Sequence, residues 1–151
     1  MGLRRDGREA AIQFLYQFDA HKPAKLDEAL TAFWKQTEEP KNVQDFANDL
    51  LRGALEKLPE VDAKIRTLAD NWDFERLAVV DRNILRLAVY EMLFRPEIPP
   101  VVSINEAIDI AKKFSTAESG KFVNGLLDRV KKELLRPARQ AAGQGSLTIG
   151  K

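Results

Sequence analysis

The sequence predicts an all-α protein of about seven helices in two packed small bundles. Apolar residues recur at three- and four-residue intervals along most of the chain, the period of one helix face. No stretch shows the strict alternation of a half-buried strand. Prolines and Ser, Thr, Asp or Asn residues fall where the apolar rhythm breaks, as helix stops and starts do. The chain has 151 residues, 44% apolar and 31% charged, enough for one core.

Ala11, Phe14, Leu15 and Phe18 place one apolar face on a first helix. A second is expected from Asp27, carrying Leu30, Phe33 and Trp34 and ending before Pro40. Asn42 is expected to cap a third, with Val43, Phe46, Leu50, Ala54, Leu55 and Leu58 inward and Pro59 closing it. Val61, Ile65 and Leu68 mark a fourth, and Asn71-Trp72-Asp73 reads as a turn. A long apolar helix follows to about Phe94, with Val80, Ile84, Leu87, Ala88 and Leu93. Pro96, Pro99 and Pro100 then break the chain. Ser103-Ile104-Asn105-Glu106 has the form of a capping box opening a helix to about Phe114, and Ser115-Thr116-Ala117-Glu118 that of a second. The last helix bears Phe122, Val123, Leu126, Leu127, Val130 and Leu134. Glycine at 125, inside that helix, costs about 1 kcal/mol relative to alanine, so a close helix–helix approach is expected there. Residues 1–136 read as a single domain, with subdomains of about 1–70 and 71–136, and 137–151 as a flexible tail.

The net charge of +1 conceals a dipole. Residues 27–62 hold nine acids against four bases, whereas residues 107–139 hold eight bases against four acids. A basic end attracts phosphates while the acidic segment limits nonspecific binding. The N-terminal arm adds Arg4, Arg5 and Arg8. Arg5 and Tyr16 fall within about 20° of each other around the first helix and about 16 Å apart along it. That spacing suits a short single strand, with phosphates on the arginine and a base on the ring. The simpler readings are a solvated terminus for the arginines and a half-buried core position for Tyr16.

Catalytic signals are missing. There is no cysteine and one histidine, His21, so thiolate chemistry and the usual zinc sites are excluded. No Gly-x-x-x-x-Gly-Lys, Gly-x-Gly-x-x-Gly or Gly-x-Ser-x-Gly motif occurs. Asp81 and Glu91, about 15 Å apart along one helix, are too far apart to work on one bond. The expectation is a protein without catalytic activity, metal or cofactor. With no long apolar run and no secretory pattern at the N-terminus, it is expected to be cytoplasmic.

Three segments together resemble the NusB family. They are Arg8-Glu9-Ala10-Ala11-Ile12-Gln13-Phe14-Leu15-Tyr16, Asp81-Arg82-Asn83-Ile84-Leu85-Arg86-Leu87-Ala88-Val89-Tyr90-Glu91-Met92, and Ile104-Asn105-Glu106-Ala107-Ile108 through Lys112 to Lys121-Phe122-Val123-Asn124-Gly125-Leu126-Leu127-Asp128. The resemblance covers about residues 4–136. It implies an RNA-binding antitermination factor that takes the boxA sequence of nascent ribosomal RNA. It also implies pairing with NusE, a small-subunit ribosomal protein, in an antitermination complex on RNA polymerase. Carried over by position, it implies an RNA surface of Arg4, Arg5, Arg8, Tyr16, Lys112, Lys121 and Phe122, and a partner-facing acid at Asp81. Asp6 interrupts the arginine run and departs from the family pattern. Two other readings are the RNA-binding front domain of a ribosomal RNA cytosine methyltransferase, for which no catalytic half follows, and a helical scaffold that binds only proteins. Homodimerisation, which would hide the basic surface, is left open by the sequence.

Overall fold

The computed structural model describes residues 2–69 and 74–142, with the side chains of the last helix described to Leu134. Among these residues there are seven α-helices and no strand. They are α1 (Leu3–His21), α2 (Leu26–Lys35), α3 (Lys41–Glu56), α4 (Leu58–Leu68), α5 (Val79–Phe94), α6 (Pro100–Phe114) and α7 (Ala117–Ala142), with one 3-10 turn at Phe74–Arg76 before α5. The expected turn at residues 71–73 lies outside the described residues.

α5 is the hub, in contact with α1, α3, α4, α6 and α7. Its residues Ile84, Leu85, Leu87, Ala88 and Val89 are all buried, as expected for a helix surrounded by others. α1 presents Ala11, Phe14 and Leu15 to α3 and α5, and α3 returns Ala47, Leu50, Leu51 and Ala54. One apolar cluster runs from Ala10 on α1 to Val130 on α7. Two glycines permit the tight crossings. A Cβ on Gly53 would lie 1.8 Å from the Tyr90 hydroxyl of α5, and one on Gly7 would lie 2.5 Å from the Phe46 ring of α3.

Several helix ends differ from expectation. Pro40 caps α3, and Asn42 lies one position inside it, its Oδ1 accepting the Val43 N–H at 2.9 Å. Pro59 lies in the first turn of α4 and so opens that helix, a position where its missing N–H costs nothing. Pro99 and Pro100 likewise start α6, which leaves Ser103 inside the helix rather than at its cap. In the second box the pairing moves by one residue. Thr116 Oγ1 accepts the Ser119 N–H at 3.0 Å, while Ser115 is the C-cap of α6. The α7 backbone continues past Arg136 and Pro137 to Ala142.

Part-buried ion pairs tie the helices together. Asp19 near the end of α1 accepts from Arg82 at 2.7 Å and Arg86 at 3.2 Å on α5, and Arg86 also grips Asp62 of α4 at 2.9 and 3.0 Å. Burial alone would raise the Asp19 carboxyl, but the Arg82 hydrogen bond and the Arg86 charge hold it below its ordinary value.

Candidate nucleic-acid interface

The parallel ion pairs between α1 and α6 set the frame of the site. Arg5 donates through Nε and Nη2 to both Glu106 oxygens at 2.7 Å, and Nη2 also reaches Asp109 at 2.9 Å. One turn on, Lys113 Nζ meets Glu9 at 3.0 Å. The Glu106 hydrogen bonds hold the Arg5 guanidinium above its ordinary range despite partial burial, and Arg5 in turn keeps Glu106 below its own. Arg5 is therefore a fastener between helices with limited exposure.

Arg8 is also off the surface. It is 3% exposed and donates to Glu91 of α5 through Nε at 2.9 Å and Nη2 at 2.8 Å, while its guanidinium lies 5.5 Å above the Phe46 ring. Glu91, itself 1% exposed, takes a third hydrogen bond from Ser103 Oγ at 2.8 Å. The family resemblance implies an RNA contact at Arg8. The structure corrects this, because Arg8 follows the stripe of Ala11 and Leu15 and finds a buried carboxylate there. Arg4 is exposed.

At the other end of α6 the cations are accessible. Lys112 is exposed, and its aliphatic stem runs along Gly120, where a Cβ would stand 3.2 Å from Lys112 Cγ. Lys121, the next residue, is exposed and meets only Glu118 among the described residues, at 3.6 Å. Lys112 and Lys121 thus lie around the one corner where α6 turns into α7. Phe122 is half-buried and packs against the core. No described residue approaches within 4 Å of the place a Gly125 Cβ would take, so no described helix explains that glycine.

Tyr16 is 47% exposed. With Ile12, Val80 and Phe114 it lines an apolar groove of about 320 Å³ between α1, α5 and α6. Phe114 is 41% exposed and has Lys113 Nζ 5.1 Å over its ring. Sequence reasoning missed both Lys113 and Phe114. A cation followed by a large apolar residue at a helix end was the available signal. Asp81, next to Val80, points inward with 9% exposure and accepts from Ser119 Oγ at 2.9 Å, so it is not an exposed acid.

A sequence profile described as the NusB family matches residues 5–132. The chain belongs to the NusB family. Similar NusB-family proteins include the transcription antitermination protein NusB of Thermodesulfovibrio yellowstonii, 42% identical with 86% of this chain and 92% of that protein covered. That of Methylacidiphilum infernorum is 45% identical, covering 89% and 94%. Among solved structures, NusB of T. maritima superposes with a TM-score of 0.75 at 43% identity, over 86% of this chain and 91% of that one. A crystal structure of antitermination factors NusB and NusE with double-stranded RNA superposes at 0.77 and 28% identity, over 88% and 98%. The all-helical NusB fold expected from the three sequence segments is thus the fold found. Among the described residues no group of three or more His, Cys, Asp or Glu is arranged to hold a metal, and no helix is long and apolar enough to cross a membrane.

Proposed function

We propose that this chain is a non-catalytic transcription antitermination factor of the cytoplasm. In this reading it binds boxA-type single-stranded leader RNA together with NusE, within an antitermination complex on RNA polymerase. Support for RNA binding with NusE comes from the names of its relatives and from the similar structure, described as NusB and NusE with double-stranded RNA. The observation that carries the reading is the corner between α6 and α7, where Lys112 and Lys121 stand exposed beside the half-buried Phe122. Accessible cations beside an aromatic edge suit an unpaired strand, whose phosphates and base faces are both open.

Arg4 extends the cationic surface at the start of α1. Arg5 contributes field and anchoring, and Arg8 contributes stability. The groove of Ile12, Tyr16, Val80 and Phe114 is mostly apolar, which suits a protein surface better than a polyanion, and we assign it to NusE. Tyr16 moves with it from the RNA to the partner.

Fluorescence anisotropy with a labelled boxA-containing leader RNA, with and without NusE and with a duplex competitor, tests this reading. We expect binding that falls steeply with salt and strengthens with NusE. Lys112→Ala with Lys121→Ala is expected to weaken it at least ten-fold (about 0.7 kcal/mol or more per lost phosphate contact) at an unchanged melting temperature. Equal binding of that double variant, or preference for the duplex, overturns the assignment.

A further inference from the structure

The corner that presents the lysines is held from inside. Ser119 is 8% exposed and donates its hydroxyl to Asp81 Oδ2 across α7 and α5 at 2.9 Å. The same hydroxyl sits 2.8 Å from Ser115 Oγ and 3.2 Å from Thr116 Oγ1, so the end of α6 and the start of α7 meet on it. Asp81 Oδ1 is buried and has no hydrogen-bond partner among the described residues. Oδ2 is therefore the only Asp81 oxygen bonded there, and its bond runs to the corner. Asp81 lies in the first turn of α5, where free N–H groups favour an acid, and its neighbour Val80 lines the Tyr16 groove.

We propose that Asp81 and Ser119 form a latch that sets the α6–α7 corner, making both positioning residues for the RNA contacts of Lys112, Lys121 and Phe122. This rests on the assignment of the corner to RNA. Only Gly120 separates Ser119 from Lys121, and it carries the Lys112 stem, so releasing Ser119 frees both lysines together. The latch also joins the groove assigned to the protein partner to the corner assigned to RNA. A partner seated on Val80 therefore acts on the RNA site through one buried hydrogen bond. The expectation that Asp81 itself faces the partner is replaced by this indirect role.

The experiment is anisotropy with labelled boxA-containing leader RNA on the full chain at several salt concentrations, with NusE affinity and melting temperature measured in parallel. Ser119→Ala and Asp81→Ala are each expected to weaken RNA binding about three- to ten-fold, the effect of one buried hydrogen bond. Asp81→Asn keeps an oxygen for the Ser119 hydroxyl and is expected to bind like the parent. Combining Ser119→Ala with Lys121→Ala should weaken binding less than the product of the two single effects, because both act through the same cation. Strictly multiplicative effects, or parent-like binding by Ser119→Ala and Asp81→Ala while Lys121→Ala binds weakly, overturn the latch. So does loss of NusE affinity in Asp81→Asn without change in Ser119→Ala, because Asp81 then acts as a surface charge. Parent-like binding by Lys121→Ala overturns instead the assignment of the corner to RNA, and the latch's function with it.

Discussion

Replacing Arg8 by alanine removes the only positive charge hydrogen-bonded to Glu91 among the described residues and leaves that carboxylate almost wholly buried. Glu91 loses two hydrogen bonds, of 2.8 and 2.9 Å, and keeps only that from Ser103. Breaking a buried pair by removing one partner costs about 3–5 kcal/mol, because the remaining charge stays desolvated. The stacking of the guanidinium on Phe46 is lost as well. For a chain of this size, that corresponds to a fall in melting temperature of about 6–20 °C. Urea unfolding followed by circular dichroism at neutral pH measures it, with the midpoint lowered and the slope retained. Arg8→Met combined with Glu91→Leu removes both charges and is expected to recover most of the loss. If Arg8→Ala unfolds within about 1 kcal/mol of the parent yet loses RNA binding, the guanidinium works at the surface and the assignment of Arg8 to the core is wrong.

Gly53→Ala forces the Tyr90 hydroxyl, which accepts from Arg95 at 2.9 Å, out of the α3–α5 crossing; a loss of about 1–3 kcal/mol in urea unfolding is expected. Glu106 ionises more readily in the folded chain, mainly through its Arg5 hydrogen bonds. Its contribution to stability is present above its ordinary pKa of 4.5 and is lost as pH falls through the lower folded value. Glu106→Gln is therefore expected to flatten the acid limb of the stability curve, read by melting temperature against pH. Lys112→Ala with Lys121→Ala is expected to lower the dependence of log affinity on log salt by about 1.4, two single-strand phosphate contacts at about 0.7 each.

The helices were legible in the sequence because burial follows a 3.6-residue period, and Phe14, Leu50, Ile84 and Leu127 fall inside as that period requires. Their ends were less so. Ser103 and Glu106 have the spacing of a capping box, but the two prolines before them start the helix earlier and leave both side chains to partners on other helices. The cations were visible as residue types, but their roles depend on partners far along the chain. Arg8 meets Glu91 and Arg5 meets Glu106, and neither pairing leaves a local mark. Arg4, Lys112 and Lys121, with no such long-range ion pair among the described residues, are exposed as the charge pattern suggested.

Lysine acetylation read by mass spectrometry, with and without bound leader RNA, tests the central claim most directly. RNA is expected to protect Lys112 and Lys121 strongly, while Lys35 and Lys41 on the acidic α2–α3 side react as in the free protein. Protection spread evenly over both sides, or confined to α2 and α3, contradicts the account.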